Sequence, residues 1–158
     1  MALSREMQRL RAEHAALVTL SRIILDMTDA PRPPPPAELA SARSQLRDAL
    51  IRHLKCEDWI LYPRLVATGD AELVRVTRDF ELEMGDLSAD FVAYDDKWTS
   101  QRVEADWQGF RSETKAVFTM LATRVEREER ELYPLAETLY ASTAPLANPL
   151  TDGATTSS

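Results

Sequence analysis

The sequence predicts an all-α fold, an up-and-down bundle of four helices. The 158-residue chain has only 4 glycines, against 44% hydrophobic and 28% charged residues, a balance that favours helices over turn-rich β structure. Apolar residues recur at spacings of three and four along four separate segments, as in amphipathic helices. A short pattern in the second segment returns 71 positions later in the fourth, which indicates a bundle made of two helical hairpins.

The first two helices are predicted on either side of a proline run. The first covers about Leu3 to Asp29, and its inward positions are Met7, Leu10, His14, Leu17, Ser21 and Ile24. The run from Pro31 to Pro36 cannot form a helix, so we expect a stiff connection there. The second helix starts near Pro36, and Pro63 kinks or ends it. Its inward stripe is Leu46, Leu50, His53, Glu57 and Ile60.

The third and fourth helices follow the break at Gly69. Asp70 is a good N-cap for the third helix, whose inward stripe is Leu73, Val76, Phe80, Glu83 or Met84, Leu87, Phe91, Tyr94 and Trp98. The fourth helix starts at about Arg102 or Ala105, and its stripe is Trp107, Phe110, Thr114, Val117, Leu121, Arg124, Glu128, Leu132 and Leu135. The tryptophans, Trp59 included, are expected in the core, and Tyr62 and Tyr133 where the kinked helices cross. We expect one domain over residues 1–140 and a disordered, weakly charged tail over 141–158.

Composition excludes several classes of function. The net charge of −7 argues against binding to nucleic acid or to an anionic membrane surface. No apolar run approaches the roughly 18 residues that a membrane span requires. A single cysteine excludes an intrachain disulfide and, with no visible signal peptide, predicts a cytoplasmic protein. The sequence names no protein partner, and a homodimer through an exposed helix face stays open.

The repeated pattern carries the candidate chemistry. Its first copy reads His53-x-x-x-Glu57 and leads into Leu-Tyr-Pro, and its second reads Arg124-x-x-x-Glu128 and leads into the same three residues. Residues four apart lie on one face of a helix, so His53 and Glu57 are spaced to share a metal ion. In the second copy, the positively charged Arg124 stands at the position that the candidate ligand His53 holds in the first copy.

Five polar side chains fall on stripes where burial is expected, and buried charges need partners. In one hypothesis a metal ion is bound by four of them, His14, His53, Glu57 and Glu128. In the other, Arg124 lies between the two glutamates in a buried ion network, and the histidines are neutral and hydrogen-bonded. The two are compatible, because Arg124 could neutralise the outer oxygens of carboxylates that also bind a metal.

Four further residues are candidates for a supporting role. Asp58 and Glu129 follow the candidate ligands by one position, about 100° round the helix, so they would support the site from outside. From the third helix, either Glu83 or Met84 faces the centre, depending on the helical register.

These residues together resemble the hemerythrin-like HHE cation-binding domain. The resemblance rests on a first-helix histidine and on the two glutamate phrases that lead into Leu-Tyr-Pro, and it spans about Leu3 to Leu139. It implies a four-helix bundle that holds a non-haem di-iron centre. Members of this family bind oxygen, respond to nitric oxide or peroxide, sense iron, or help repair iron–sulfur clusters.

The resemblance also implies which ligands are present and which are replaced. His14 and His53 match the histidines of one iron, and Glu57 and Glu128 match the bridging carboxylates. The two histidine positions of the other iron hold Arg124 and Met84, or Glu83 if the register shifts by one. We therefore expect a mononuclear site with one iron, zinc or manganese per chain, and Arg124 in place of the second cation.

The leading functional hypothesis is a small metal-binding protein with a sensing or regulatory role, which responds to oxygen, nitric oxide, peroxide or iron. The sequence has no nucleophile–base pair and no phosphate-binding glycine loop, which favours this role over catalysis. Two alternatives stay open. One is a metal-free helical interaction module with a buried Arg–Glu network, and the other is a non-haem iron enzyme that acts on peroxide or nitric oxide.

Overall fold

Most of the chain that the structure describes is helical. The computed structural model describes the backbone of residues 2–143 and the side chains of residues 5–138. The α-helices are α1 (Ala2–Asp29), α2 (Pro36–Cys56), α3 (Tyr62–Ala67), α4 (Ala71–Met84), α5 (Leu87–Lys97), α6 (Ser100–Ala105), α7 (Trp107–Arg127) and α8 (Tyr133–Thr143). Two π-helical turns, Glu57–Leu61 and Glu128–Leu132, join α2 to α3 and α7 to α8. No strand occurs in residues 2–143, and the predicted all-α class is confirmed.

The helices form a closed four-membered ring. Helix α1 contacts α2, α2 contacts α5, α5 contacts α7, and α7 contacts α1. Helices α3 and α8 extend the second and fourth members of the ring and contact α4 and α1 respectively. This arrangement confirms the predicted four-helix bundle.

The breaks between the first three members lie close to their predicted positions. Helix α1 ends at Asp29, and α2 begins at Pro36, where a proline costs no hydrogen bond because a first-turn N–H has no helical partner. Gly69 adopts a φ of +72°, which favours glycine, and Asp70 then caps α4 by accepting a hydrogen bond from the N–H of Leu73 at 2.9 Å.

The two Leu-Tyr-Pro phrases produce π-helical turns. In each turn the tyrosine N–H bonds to a carbonyl five residues back, from Tyr62 to Glu57 and from Tyr133 to Glu128. The proline that follows has no N–H and would crowd the carbonyl four residues before it, so the wider turn removes a conflict that the α-helix would have. One predicted inward position is wrong as a result, because Leu61 is buried and Ile60 is half exposed.

The third member of the ring is not continuous. The predicted third helix breaks at Gly85 and Asp86 into α4 and α5, and the short α6 precedes α7. Helix α8 reaches Thr143, three residues into the predicted tail. Residues 144–158 lie outside the described part of the chain, so the tail stays a prediction.

The core consists of two apolar clusters at successive levels of the bundle. One contains Leu17, Leu50, Phe91, Phe110 and Leu121, and the other contains Leu10, Leu61, Phe80 and Leu132, with further members in each. On α1, His14 lies between Leu10 of one cluster and Leu17 of the other, so the polar site is enclosed by apolar residues on both sides.

Two further expectations concern one tryptophan and the membrane. Trp59, predicted in the core, is 71% exposed, because it lies on the outer side of the first π-helical turn. None of the helices in the described part of the chain is long and apolar enough to cross a membrane.

Candidate metal centre

Four candidate ligands converge in the middle of the bundle. His14 comes from α1, His53 from the last turn of α2, and Glu57 and Glu128 are the first residues of the two π-helical turns. All four side chains are at most 2% exposed. Each offers one ligand atom, and these atoms lie within 4.8 Å of one another. The structure therefore brings together the four residues to which the sequence analysis assigned a metal.

Each histidine is oriented by a carboxylate behind it. Nδ1 of His53 lies 2.7 Å from Oε2 of Glu13, and Nδ1 of His14 lies 3.0 Å from Oε1 of Glu129. We assign a proton to each Nδ1, because a carboxylate accepts a hydrogen bond and does not donate one. Nε2 of each ring is then free to present its lone pair to the centre. Histidine ligands of metal ions are commonly held by a carboxylate in this way.

Three of the four candidate ligand atoms are buried and have no hydrogen-bond partner: Nε2 of His53, Oε1 of Glu57 and Oε2 of Glu128. Nε2 of His53 and Oε1 of Glu57 are only 2.7 Å apart, without the alignment of a hydrogen bond. Two electron-rich atoms this close repel each other unless a proton or a cation lies between them. The residues present therefore fit a bound cation.

Arg124 occupies the other side of the centre and is 1% exposed. Its Nε donates to Oε1 of Glu128 at 2.7 Å, one terminal nitrogen donates to Oδ1 of Asp58 at 2.9 Å, and the other donates to the carbonyl of Met84 at 3.3 Å. The guanidinium also lies 3.8 Å from Oε1 of Glu57. Its charge thus balances the carboxylates where the family resemblance implies a second cation.

The two candidates from the third helix take different places. The side chain of Glu83 points to solvent and pairs with Arg127, so the expectation that Glu83 could reach the centre is wrong. Met84 is half-buried, and its backbone carbonyl, not its side chain, contacts Arg124. Glu83 thus gives the centre no ligand, because it lies on the outer face of the helix.

Sequence analysis missed two residues at the centre, Glu13 and Tyr133. Glu13 precedes His14 as Glu129 follows Glu128, so an acidic neighbour beside each candidate ligand was the signal for it. Tyr133 was expected only to pack at a helix crossing, but its hydroxyl donates to Oε2 of Glu57 at 2.9 Å and lies 3.2 Å from Nε2 of His14.

The charges shift the pKa values of the candidate ligands. Burial lowers the pKa of His14 below its ordinary value, and His53 adds to this effect. Burial would also lower the pKa of His53, but the carboxylates of Glu57 and Glu13 outweigh it and raise that pKa. Burial would raise the pKa of Glu57, yet His53 and Arg124 lower it. These directions favour a neutral His14 and an ionised Glu57, the forms that bind metals, whereas the raised pKa of His53 favours a proton that a metal ion would have to displace.

A surface groove leads towards the Arg124 side of the centre. Its volume is about 710 Å³, and it lies between the first π-helical turn and the junction of α4 with α5. Asp58, Trp59 and Tyr62 line one side, and Gly85, Ser88 and Ala89 line the other. Asp58 and Tyr62 both contact Arg124, so one guanidinium separates the groove from Glu57.

Comparisons with known proteins identify a family and nothing narrower. No curated protein matches the chain significantly, and no solved structure does. The model of the hemerythrin HHE cation-binding domain matches residues 6–136, which include all four candidate ligands and Arg124. A match over most of the chain, together with a helical bundle around a buried His/Glu cluster, shows that this protein belongs to the hemerythrin HHE cation-binding domain family.

Proposed function

We propose that this protein binds one divalent metal ion through His14, His53, Glu57 and Glu128. One observation carries this proposal: each glutamate has one oxygen held by a hydrogen bond and one oxygen free. Oε2 of Glu57 is held by Tyr133, and Oε1 of Glu128 is held by Arg124. The free oxygens, Oε1 of Glu57 and Oε2 of Glu128, are both buried and unpaired. A carboxylate with one oxygen held in this way presents one free oxygen to the centre, which favours a single metal ion over a bridge through both oxygens.

Charge balance supports one metal ion. The carboxylates of Glu57, Glu128 and Asp58 surround the single guanidinium of Arg124, which leaves a net charge of −2 at the centre. One divalent cation neutralises this charge, whereas two would leave a net positive charge in a buried site. Glu13 and Glu129 lie further out, are partly exposed and face the protonated edges of the histidines.

The ligands favour a borderline metal ion. Two imidazole nitrogens and two carboxylate oxygens suit Fe(II), Zn(II) or Mn(II), and the family favours iron. When bound, this ion would supply a Lewis-acidic centre that could take up a small ligand. The protein would orient both histidines through Glu13 and Glu129 and keep bulk water away from the ligand atoms.

We further propose a sensing or regulatory role. Reversible oxygen binding as peroxide relies on two irons in this family, so a mononuclear site would not carry oxygen in that way. The groove beside Asp58 and Tyr62 is wide enough for a small molecule such as nitric oxide or peroxide, and it ends one side chain from the centre. The metal would then report the presence of that molecule, or of the metal itself.

A second candidate function is a metal-free interaction module. Arg124 favours it, because the guanidinium already pairs with Glu128 and Asp58 and compensates part of the buried charge. In that case a second positive charge, such as a proton on His53, would satisfy the 2.7 Å contact between His53 and Glu57.

The two functions differ in their response to metal and gas. Anaerobic titration of the chelator-treated protein with Fe(II), Zn(II) and Mn(II) should give one binding event per chain for at least one ion. Exposure of the Fe(II)-loaded protein to nitric oxide should change its electron paramagnetic resonance spectrum. Metal binding without any response to nitric oxide or peroxide would contradict sensing of those molecules, and no binding of any ion would favour the metal-free module.

A further inference from the structure

We propose that Tyr133 is a positioning residue that makes Glu57 a ligand through Oε1 alone and so keeps the coordination number of the metal at four. This inference rests on the proposed metal site and concerns how that site is held. The hydroxyl of Tyr133 donates a buried hydrogen bond, 2.9 Å long, to Oε2 of Glu57.

The hydroxyl of Tyr133 has one proton and two acceptors within reach. Oε2 of Glu57 lies at 2.9 Å and Nε2 of His14 at 3.2 Å. Because Nδ1 of His14 donates to Glu129, Nε2 has a lone pair and competes for the proton. A metal ion on Nε2 takes that lone pair and leaves the proton to Glu57. Metal binding therefore commits Tyr133 to Glu57.

The ring of Tyr133 is held in place. It stacks on His14 with 5.1 Å between ring centroids and an interplanar angle of 8°. The guanidinium of Arg11 lies 5.4 Å from the centroid of the Tyr133 ring. The hydroxyl therefore has a fixed direction, and it restrains Oε2 of Glu57 without moving itself.

The other copy of the repeat shows that this role is specific to Tyr133. Tyr62 stands at the matching position, but its buried hydroxyl has no hydrogen-bond partner. The matching oxygen of Glu128 is held by Nε of Arg124 and not by a tyrosine. Two residues of different chemistry, Tyr133 and Arg124, thus restrain one oxygen of each glutamate.

Without Tyr133, Oε2 of Glu57 would lose its hydrogen bond inside a site that excludes water. A buried carboxylate oxygen without a donor is costly, and the metal ion would be the nearest positive charge. Glu57 would then bind through both oxygens, and the coordination number would rise from four to five.

Cobalt(II) is the probe for this change, because its visible absorption is strong in four-coordinate sites, intermediate in five-coordinate sites and weak in six-coordinate sites. We would load full-length wild type, Tyr133→Phe and Tyr62→Phe with Co(II), measure the spectra, and determine the Zn(II) affinity by competition with a coloured chelator. Tyr62→Phe is the matched control: it removes a hydroxyl at the equivalent repeat position and keeps the ring beside Arg124.

The expected result is a strong four-coordinate Co(II) spectrum for wild type and Tyr62→Phe. Tyr133→Phe should show the weaker, intermediate absorption of a five-coordinate site and bind Zn(II) about 10- to 100-fold more weakly, the usual effect of removing a residue that supports a ligand. An unchanged spectrum and affinity in Tyr133→Phe, with metal still bound, would overturn this inference but not the metal site.

Two further results remain decisive if Tyr133→Phe does not fold. A weak, high-coordinate Co(II) spectrum of the wild type would overturn the one-oxygen role without any variant. A wild type that binds neither Co(II) nor Zn(II) would overturn both this inference and the proposed function.

Discussion

At the scale of single residues, Arg124 sets the charge that is left for a metal ion to balance. Its guanidinium is buried and bonds to Glu128 and Asp58, on two different members of the bundle. Removing one partner of a buried ion pair leaves the other charge without compensation, which costs far more than breaking an exposed pair. Arg124 is therefore a permanent cation whose removal would leave buried carboxylates without compensation whether or not a metal ion is bound.

Replacing Arg124 should destabilise the protein strongly. We expect Arg124→Met to lower the free energy of unfolding by about 3–5 kcal/mol, because Glu128 and Asp58 lose their buried partner. Arg127→Met is the matched control on the same helix, since its partners are largely exposed, and it should cost at most about 1 kcal/mol. Urea unfolding in the presence of chelator measures both. Similar values for the two variants would show that the Arg124 network contributes little.

Met84 and Arg124, which stand where the family resemblance implies histidines of a second metal, give a further prediction. Introducing these histidines in the double variant Met84→His, Arg124→His should raise the metal content from one ion per chain to two. The loss of Arg124 frees Oε1 of Glu128, and we expect the two imidazoles to supply the nitrogen ligands that the family resemblance implies at these positions. Elemental analysis of the folded variant gives the result. A content that stays at one would mean that Arg124 is not what excludes the second ion.

At the scale of the helices, the π-helical turns explain where sequence analysis succeeded and where it failed. The spacing of three and four residues placed His14, His53, Glu57 and Glu128 inward, because an α-helical period holds up to the start of each turn. Beyond that point the period changes, and the expectation for Ile60 failed.

Other features depend on contacts between helices, which a helical period does not encode. Trp59 was placed in the core from its composition alone, but it faces solvent beside Lys55. The bonds of Glu13 to His53 and of Tyr133 to Glu57 join separate members of the bundle. The break at Gly85 was missed because the apolar spacing continues across it on both sides.

Three buried tyrosines give a prediction about pH: Tyr62 and Tyr133, which open α3 and α8, and Tyr94 on α5. Burial raises the pKa of Tyr94 to about 12, and it raises the pKa values of Tyr62 and Tyr133 as well. A phenol with a raised pKa in the folded state stabilises the protein fully below about pH 10, its unfolded pKa, and this contribution is lost as pH rises towards the folded value.

Absorbance at 295 nm, which follows phenolate formation, measures this effect. In the native protein at pH 10.5 these three tyrosines should stay protonated, whereas in urea all tyrosines should titrate near pH 10. We also expect the free energy of unfolding to fall from about pH 10 upwards. Native tyrosines that all titrate near pH 10 would contradict the burial described here.

At the scale of the whole molecule, the proposed metal would join three of the four members of the ring. Its ligands come from α1, from α2 with its π-helical turn, and from the turn after α7. Among the described side chains, the hydrogen bond from Arg124 to the Met84 carbonyl connects the centre to the member formed by α4 and α5. The metal should therefore tighten three members of the bundle more than the fourth.

Hydrogen exchange followed by mass spectrometry tests this asymmetry. Adding metal at about 100 times its dissociation constant should stabilise the fold by about 2.7 kcal/mol. Amides that exchange through local opening should gain protection in α1, α2 and α7, and less in α4 and α5. Equal protection in all four members would indicate that metal stabilises only against global unfolding, and no added protection would contradict metal binding.

We propose that the centre holds one metal ion and that Arg124 takes the place of a second. The most direct measurement is the metal content of untagged protein, purified without chelator and loaded anaerobically with iron, zinc or manganese, beside a His53→Ala control. We expect about one ion per chain for wild type and loss of that ion in the control, because His53 would supply one of four ligands. Two ions per chain would contradict the role of Arg124, and none would contradict the metal site itself.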